Sequence, residues 1–286
     1  MLISSRRGSY RPQASMTPRS AANAILLLCT TVFFALPAAG GQEAADSPSG
    51  LQAAYQQRVV QRLELPPDEL ARYAALTRSA LTQQGIDLVT SQYVAVIDRS
   101  PLVQAIMIYW LPVGAPALLI GASPVSTGRV GQFDHFETPL GAFAHTPSNP
   151  DFRAEGTKNE KGFRGYGSKG LRIYDLGWQQ ALRGWGKGGN STMRLQMHAT
   201  DAELAQPQLG SVQSKGCIRI PESLNRLLDH FGLLDADYET TQTQQRPLWI
   251  LSTDRTPVQG AGRYVVVVDS LRAERPVWSP DPLKPV

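Results

Sequence analysis

Short hydrophobic runs separated by turn residues dominate the chain from about residue 93 onward. Runs of this length, rich in Val, Ile and Tyr and bounded by Pro, Gly, Ser or Asp, are typical of β-strands. The runs predicted as strands are Tyr93–Ile97, Ala105–Leu111, Ala117–Ile120, Leu171–Tyr174, Met193–His198, Pro247–Leu251 and Tyr264–Val268. Many short strands with few helices favour a mainly β fold, here a β-sandwich-like domain.

Helical spacing is confined to three other parts of the chain. Hydrophobic residues recur every fourth position from Leu51 to Leu63, which predicts a first helix. A second helix is predicted from Pro67 to just before Gly85, and one late helix has Pro221 in its first turn and Gly232 as its stop. The sequence therefore predicts a small N-terminal helical segment, followed by a β domain with one late helix.

These patterns divide the chain into four parts. We predict a signal peptide at 1–40, a linker and helical segment at 41–88, the β domain at 89–270 and a Pro-rich tail at 271–286. Residues 150–192 are rich in glycine with interspersed Lys, Arg, Tyr and Trp, and they are predicted as a long loop. A long loop inside a compact domain is more often functional than idle, so we expect it to form a mobile wall or lid.

The charge balance argues against a nucleic-acid partner. The formal net charge is +4, and four arginines in residues 1–40 account for all of it. The rest of the chain carries 24 basic and 24 acidic residues. Nucleic-acid binding needs surplus Lys and Arg to displace counterions, and that surplus is missing here.

The first forty residues have the order of a secretory signal. Arginines precede an apolar centre from Ala24 to Leu36, and the small residues Ala38, Ala39 and Gly40 follow. We predict export to the periplasm, in the cell envelope, with cleavage near residues 40–41. The alternative is an uncleaved leader that serves as a membrane anchor, although the apolar centre is short for a membrane span.

The cysteine count directs attention to one thiol. The chain has two cysteines, Cys29 and Cys217, and only Cys217 would remain after leader removal. A lone thiol in an exported protein is a dimerising liability or a reactive group, whereas a buried inert cysteine is the structural alternative.

Chemistry-bearing residues gather around that thiol. His198 ends a predicted strand, and an imidazole beside Cys217 would take its proton and form the nucleophilic thiolate. Gly216 allows unusual backbone dihedrals that turn N–H groups toward a developing oxyanion. Arg219 alternates with Cys217 along an extended segment, so its guanidinium is placed to bind a substrate carboxylate. Each residue alone has a structural alternative, but together they indicate an acyl-transfer site.

These residues resemble a known family. The pattern His-x-Thr at 198–200 and Ser-x-Gly-Cys-x-Arg at 214–219 is similar to the YkuD-type L,D-transpeptidase domain, which remodels bacterial peptidoglycan. The segments Ser126–Gly128 and Thr138–Phe143 resemble the STG and TPxGxF elements of that family. The resemblance covers roughly residues 90–270.

The resemblance implies roles for individual residues. Cys217 would be the nucleophile and His198 its general base, with the backbone carbonyl of Ala199 orienting the imidazole ring. Ser214 and Gly216 would shape the oxyanion region. No cofactor is implied.

Two further residues concern the substrate. By the same resemblance Arg219 would position it, whereas Lys215 stands where the family usually has a histidine. Lys215 would then contact a carboxylate of diaminopimelate or hold the thiolate. The histidines His135, His145 and His230 show no metal-ligand spacing and are interpreted as structural or surface residues, so no metal is expected.

The function implied is cross-linking of peptidoglycan stem peptides through a cysteine thioester. The alternatives are an L,D-carboxypeptidase, a lipoprotein-releasing hydrolase of the same family, or a wall-binding module without catalysis. A serine transpeptidase of the penicillin-binding type is disfavoured because the chain lacks Ser-x-x-Lys and Lys-Thr-Gly elements. A papain-like protease is also disfavoured, because its histidine would follow the cysteine along the chain, whereas His198 precedes Cys217.

Overall fold

The computed structural model describes residues 47–244 and 247–280. The helices are α1 (Pro48–Arg58), α2 (Pro67–Gln83), α3 (Glu222–Phe231) and α4 (Ala236–Gln244). The strands are β1 (Gln92–Asp98), β2 (Ala105–Leu111), β3 (Leu118–Pro124), β4 (Gly141–Ala144), β5 (Phe152–Arg153), β6 (Arg172–Leu182), β7 (Asn190–Ala199), β8 (Ile218–Ile220) and β9 (Tyr264–Val268). The predicted leader and the end of the predicted tail lie outside the described residues. Across the described ranges, no helix has the length and apolar character needed to span a membrane.

The strands form two mixed sheets, so the mainly β prediction is confirmed. The first has the order β3-β2-β1-β9-β4, in which β1 runs parallel to β9 and antiparallel to β2. The second has the order β5-β6-β7-β8, in which β7 and β8 are parallel. Parallel neighbours need a crossover connection, and for β7 and β8 that connection is the segment 200–217.

The two sheets share one hydrophobic core. Ala95 and Ile97 of β1 and Leu195 and Met197 of β7 are fully buried in it. Helices α1 and α3 add further side chains to the same core. Burial of the shared face fixes the register of each strand, because a shift by one residue would bring every outward side chain into the core.

The first sheet is buried on its other face as well. Val94 and Val96 pack there in a second core with Tyr73 and Leu81 of α2. A strand that is covered on both faces carries a continuous hydrophobic run rather than an alternating one, which is why β1, β2 and β9 were so clearly marked in the sequence.

The predicted boundaries of α2 and the predicted end of α3 are confirmed, whereas Pro221 directly precedes α3 and is not part of its first turn. Helix α2 begins at Pro67, and Gly85 follows its last turn with φ +68°. Helix α3 ends at Gly232, which adopts the left-handed conformation with φ +58°. Glycine takes this conformation without a steric penalty, so it stops the helix where the sequence placed the stop.

Three details of the predicted fold were wrong. The run Pro247–Leu251 is not a strand, because Leu248, Ile250 and Leu251 form turns that pack on Tyr238 of α4. A second late helix, α4, follows α3 directly. The segment 150–192 is not one long loop, since β6 extends eight residues beyond the predicted Tyr174. The outer part of β6, residues 178–182, is mostly exposed and is interrupted by two glutamines, so it lacks the continuous hydrophobic run that marks a buried strand.

Candidate active site

Strand β7 presents alternate side chains to opposite faces of the second sheet. Leu195 and Met197 point into the shared core, where both are fully buried. Arg194, Gln196 and His198 therefore lie on the opposite face, which we call the site face. Because of this alternation, the polar side chains of β7 lie on one face of the sheet, next to the parallel strand β8.

Strand β8 continues the site face. Ile218 and Ile220 are fully buried in the core, so Arg219 and the preceding Cys217 are directed to the other side. His198 is the register partner of Arg219 in the parallel pair. The fold thus brings together His198, Cys217 and Arg219, which the sequence singled out from separate segments.

The imidazole of His198 has a defined orientation. Its Nδ1 lies 2.5 Å from the carbonyl oxygen of Ala199. A carbonyl oxygen only accepts hydrogen bonds, so Nδ1 carries the proton and Nε2 is left with the lone pair. His198 is buried, and burial lowers its pKa to about 4 against the smaller opposing effect of the Ala199 bond. The ring is therefore a neutral base at neutral pH.

Cys217 sits beside this strand as a half-buried thiol. Its Sγ lies 3.8 Å from the carbonyl oxygen of Arg194 on β7. Burial raises the pKa of the thiol, and the backbone N–H of Gln196 and the charge of Arg219 offset this only in part. The resting site therefore combines a neutral thiol with a neutral imidazole, and it does not hold a preformed thiolate–imidazolium pair.

A tight turn leads into the thiol. Ser214 Oγ accepts a hydrogen bond from the N–H of Gly216 at 3.0 Å and donates one to the carbonyl of Cys217 at 2.5 Å. Gly216 has φ +134°, a conformation that residues with a side chain rarely adopt. Ser214 and Gly216 thus shape the turn, as expected, but the Gly216 N–H is already bonded. The N–H of Cys217 itself has no hydrogen bond within the described ranges, so it is the donor available to an oxyanion.

A threonine joins this turn to the segment identified as STG. Thr138 Oγ1 accepts a hydrogen bond from the N–H of Gly128 at 2.9 Å and donates to the carbonyl of Gly216 at 2.7 Å. Gly128 has no room for a side chain, because a Cβ there would lie 1.9 Å from the carbonyl oxygen of Phe136. The two motif segments found upstream in the sequence are therefore direct supports of the turn that leads into Cys217.

The sequence did not identify Gln104, whose side chain supports the segment Ser126–Gly128. This residue is fully buried with φ +50°. Its side-chain amide accepts from the N–H of Thr127 and donates to Thr127 Oγ1, each at 2.8 Å. The neighbouring Ser126 exchanges two backbone hydrogen bonds with Arg219. No local pattern marks Gln104, because its partner is 23 residues away along the chain.

Residues 154–171, which we call the cover loop, lie over the site face. The hydroxyl of Tyr166 donates to Gln196 Oε1 at 3.0 Å, and its ring meets His198 edge-on at 4.7 Å. The Phe163 ring lies 5.7 Å from the Arg219 guanidinium. This part of the segment 150–192 therefore lies against the site face, where the sequence predicted a wall or lid. That the segment is mobile stays a prediction.

Two basic residues near the thiol have different environments. Arg219 is largely buried, its Nε has no hydrogen-bond partner in the described part of the chain, and burial lowers its pKa. Lys215 is exposed and its Nζ lies 2.8 Å from Asp134 Oδ2. Within the described residues Arg219 thus has no ion-pair partner, whereas the ammonium of Lys215 already has a counterion at the surface.

Two of the remaining histidines, His145 and His230, lie apart from this site, and His135 is near the surface beside Phe136, whose N–H bonds the Lys215 carbonyl. His145 is fully buried, with Nε2 at 2.9 Å from Asp151 and Nδ1 donating to the Leu234 carbonyl at 2.8 Å. Although burial opposes it, the Asp151 carboxylate raises the pKa of His145. His230 is in the last turn of α3. Within 47–244 and 247–280, no three His, Cys, Asp or Glu side chains are grouped so that they would hold a metal ion.

Comparison with known proteins adds no family assignment. No protein-family model matches this chain. No curated protein matches it at a significant level of similarity. The motifs of 126–143 and 198–219 and the geometry of the site face are therefore the grounds on which a function is proposed.

Proposed function

We propose that the protein is a cysteine-dependent L,D-transpeptidase that cross-links peptidoglycan stem peptides. The observation that carries the proposal is the orientation of His198. Its Nδ1 proton is bonded to the Ala199 carbonyl, so the basic Nε2 is the atom left to take the proton of Cys217, the residue that precedes the neighbouring strand β8. A backbone carbonyl here does the orienting that an acidic residue does in a Ser-His-Asp triad.

The first half-reaction forms a thioester. His198 Nε2 takes the Cys217 proton as Sγ attacks the carbonyl carbon of an L-configured residue in the donor stem. The Cys217 N–H stabilises the negative charge that develops on the carbonyl oxygen. The C–N bond then breaks, the imidazolium returns its proton to the leaving amine, and the terminal residue departs.

The second half-reaction transfers the acyl group. An amine, typically the side-chain amine of diaminopimelate on a second stem, attacks the thioester carbon. The C–S bond breaks and Cys217 leaves as thiolate, while His198 carries the amine proton back to sulfur. Water in place of the amine would give L,D-carboxypeptidase activity, and attack on a protein-bearing stem would release an anchored lipoprotein.

The non-enzymatic alternative is a wall-binding module with the same fold. The neutral resting thiol leaves this alternative open, because nothing in the resting site forces Cys217 to react. Reaction with a carbapenem separates the two functions, since an acyl-transfer site would form a covalent adduct on Cys217 whereas a binding module need not.

The decisive experiment is mass spectrometry of muropeptides after incubation of the purified protein with intact sacculi. We expect new L,D cross-links with wild type and none with Cys217→Ala. The matched control is His230→Gln, which removes a histidine outside the site face and should leave cross-linking unchanged. Cross-links formed by the Cys217→Ala protein would contradict the proposal.

A further inference from the structure

A second arginine on the site face has the features of a ligand-binding group. Arg194 is two strand positions before Gln196 and four before His198 on β7. Its Nε donates to Asp175 Oδ2 at 2.7 Å, while its side chain keeps 39% of its exposure. Within the described residues, its two terminal nitrogens donate no hydrogen bond. The guanidinium is therefore anchored on one edge and open on the other.

Both carboxylate oxygens of Asp175, which holds Arg194, accept hydrogen bonds. Asp175 is buried, and besides Arg194 it accepts from Gln196 Nε2 and from the Gly177 N–H, each at 2.9 Å. Such a carboxylate fixes the orientation of the Arg194 guanidinium in the free protein. Less conformational entropy of this side chain is then lost when a ligand binds. An exposed salt bridge between two flexible side chains contributes little, but this pair differs because one partner is rigid.

An aromatic ring completes the arrangement. Trp178 is the register partner of Arg194 across β6 and β7, and its ring centroid lies 5.7 Å from the guanidinium carbon. Trp178 is 63% exposed, which is unusual for the largest apolar side chain. The ring flanks the guanidinium, and its solvent-facing side is free to contact the aliphatic part of a ligand.

The position of Arg194 relative to the Cys217 thiol defines which part of a ligand would reach the Arg194 guanidinium. Cys217 lies two residues before Arg219, which is the register partner of His198, and its Sγ is 3.8 Å from the Arg194 carbonyl. Two residues along a strand span roughly 7 Å. Arg219 and Arg194 thus flank Cys217, and within the described residues no hydrogen bond joins the Arg194 side chain to the cover loop, whose Tyr166 bonds Gln196 instead.

We propose that Arg194, held by Asp175 and flanked by Trp178, binds a carboxylate of the stem peptide on the opposite side of Cys217 from Arg219. A planar guanidinium with two free N–H groups matches a carboxylate in a forked geometry. The inference rests on the proposed function, because the ligand is taken to be the peptide whose carbonyl meets Cys217.

The test uses a tetrapeptide stem and three analogues, each with one carboxylate converted to a carboxamide. The probes are altered at the D-glutamate carboxylate, the side-chain carboxylate of diaminopimelate or the terminal carboxylate. Thioester formation on Cys217 is followed by intact-protein mass spectrometry. For wild type, one of the three amidations should lower kcat/KM by about 10- to 100-fold, as the loss of a charge-assisted hydrogen bond implies.

The variant Arg194→Gln should lose a similar factor with the unmodified peptide and then be indifferent, within about twofold, to that same amidation. Arg194→Lys should recover part of the discrimination. The matched control is Arg183→Gln, since Arg183 also has its Nε bonded, to the Gly188 carbonyl, and stacks 5.9 Å from Trp185. The control should retain the wild-type preference among the four peptides.

Equal losses with all four peptides, or no loss at all, would overturn the role of Arg194 and leave the proposed function intact. If wild type forms no thioester with any peptide, the proposed function fails. In that case calorimetric binding of the same four peptides still decides the subsite. Binding that is insensitive to amidation in both wild type and Arg194→Gln would then overturn it.

Discussion

At the scale of single residues, the chemistry depends on which nitrogen of His198 carries the proton. The Ala199 carbonyl fixes that proton on Nδ1, and burial keeps the ring neutral. His198→Ala should leave Cys217 in place but without a base, so thioester formation should fall by about 10²–10⁴-fold with folding intact. The measurement is the rate of thioester formation, with circular dichroism as the folding control.

Lys215→His tests the competing base. Lys215 is bonded to Asp134 at the surface, so a histidine here, as in the family that the motifs resemble, should be tolerated and should change at most which donor stem is used. If Lys215 were the base, Lys215→His would reduce the rate of thioester formation far more than His198→Ala does. Comparison of the two variants in the same assay ranks their roles.

The pH dependence of kcat/KM should show that His198 and Cys217 are both neutral in the resting site. The pKa of His198 is lowered to about 4 and that of the Cys217 thiol is raised. The base is lost only as pH falls through about 4, so kcat/KM should hold between pH 7 and 5 and decline below that. Alkylation of Cys217 by iodoacetamide should instead rise with pH above neutrality. A kcat/KM profile that falls near pH 6.5 would contradict the buried neutral imidazole.

At the scale of elements, the turn that leads into Cys217 is held by contacts from two other segments. Thr138 satisfies both the Gly128 N–H and the Gly216 carbonyl. Thr138→Val keeps the shape but leaves both groups unpaired, which should cost about 1–3 kcal/mol for each buried group. Chemical denaturation should show this loss and thioester formation should slow, whereas Thr138→Ser should stay near wild type in both.

The cover loop is the second element with a prediction of its own. It contacts His198 through Tyr166 and Arg219 through Phe163, so a bound stem peptide has to displace it or lie against it. We expect amide exchange in 154–171 to slow when substrate binds to the Cys217→Ala protein. Equal protection with and without substrate would count against a lid, and the strands of the first sheet are the internal control.

At the scale of the whole molecule, the predicted leader sets where the chemistry takes place. The arginines, apolar centre and small residues of 1–40 predict that the mature protein starts near residue 41 and works outside the cytoplasm. N-terminal sequencing of the protein from a periplasmic fraction should find this start. A cytosolic protein with Met1 intact would contradict the prediction.

The sequence by itself determined the strands that are buried on both faces and two helix boundaries, and it supplied the residues on which the proposed acyl transfer rests. Continuous hydrophobic runs marked β1, β2 and β9, and Gly232 marked the end of α3, because burial and backbone conformation act locally. The residue types at 198 and 214–219 likewise indicated their chemistry without any knowledge of the fold.

Only the tertiary structure decided which residues meet. Gln104 supports Thr127, and Arg194 is aimed by Asp175, through contacts that join positions far apart in the chain. The mostly exposed outer part of β6 became a strand because β7 supplies its hydrogen bonds, and Pro247–Leu251 did not because it packs on α4. The ionisation of His198 and Cys217 also depends on burial, which is a property of the assembled sheets and not of the local sequence.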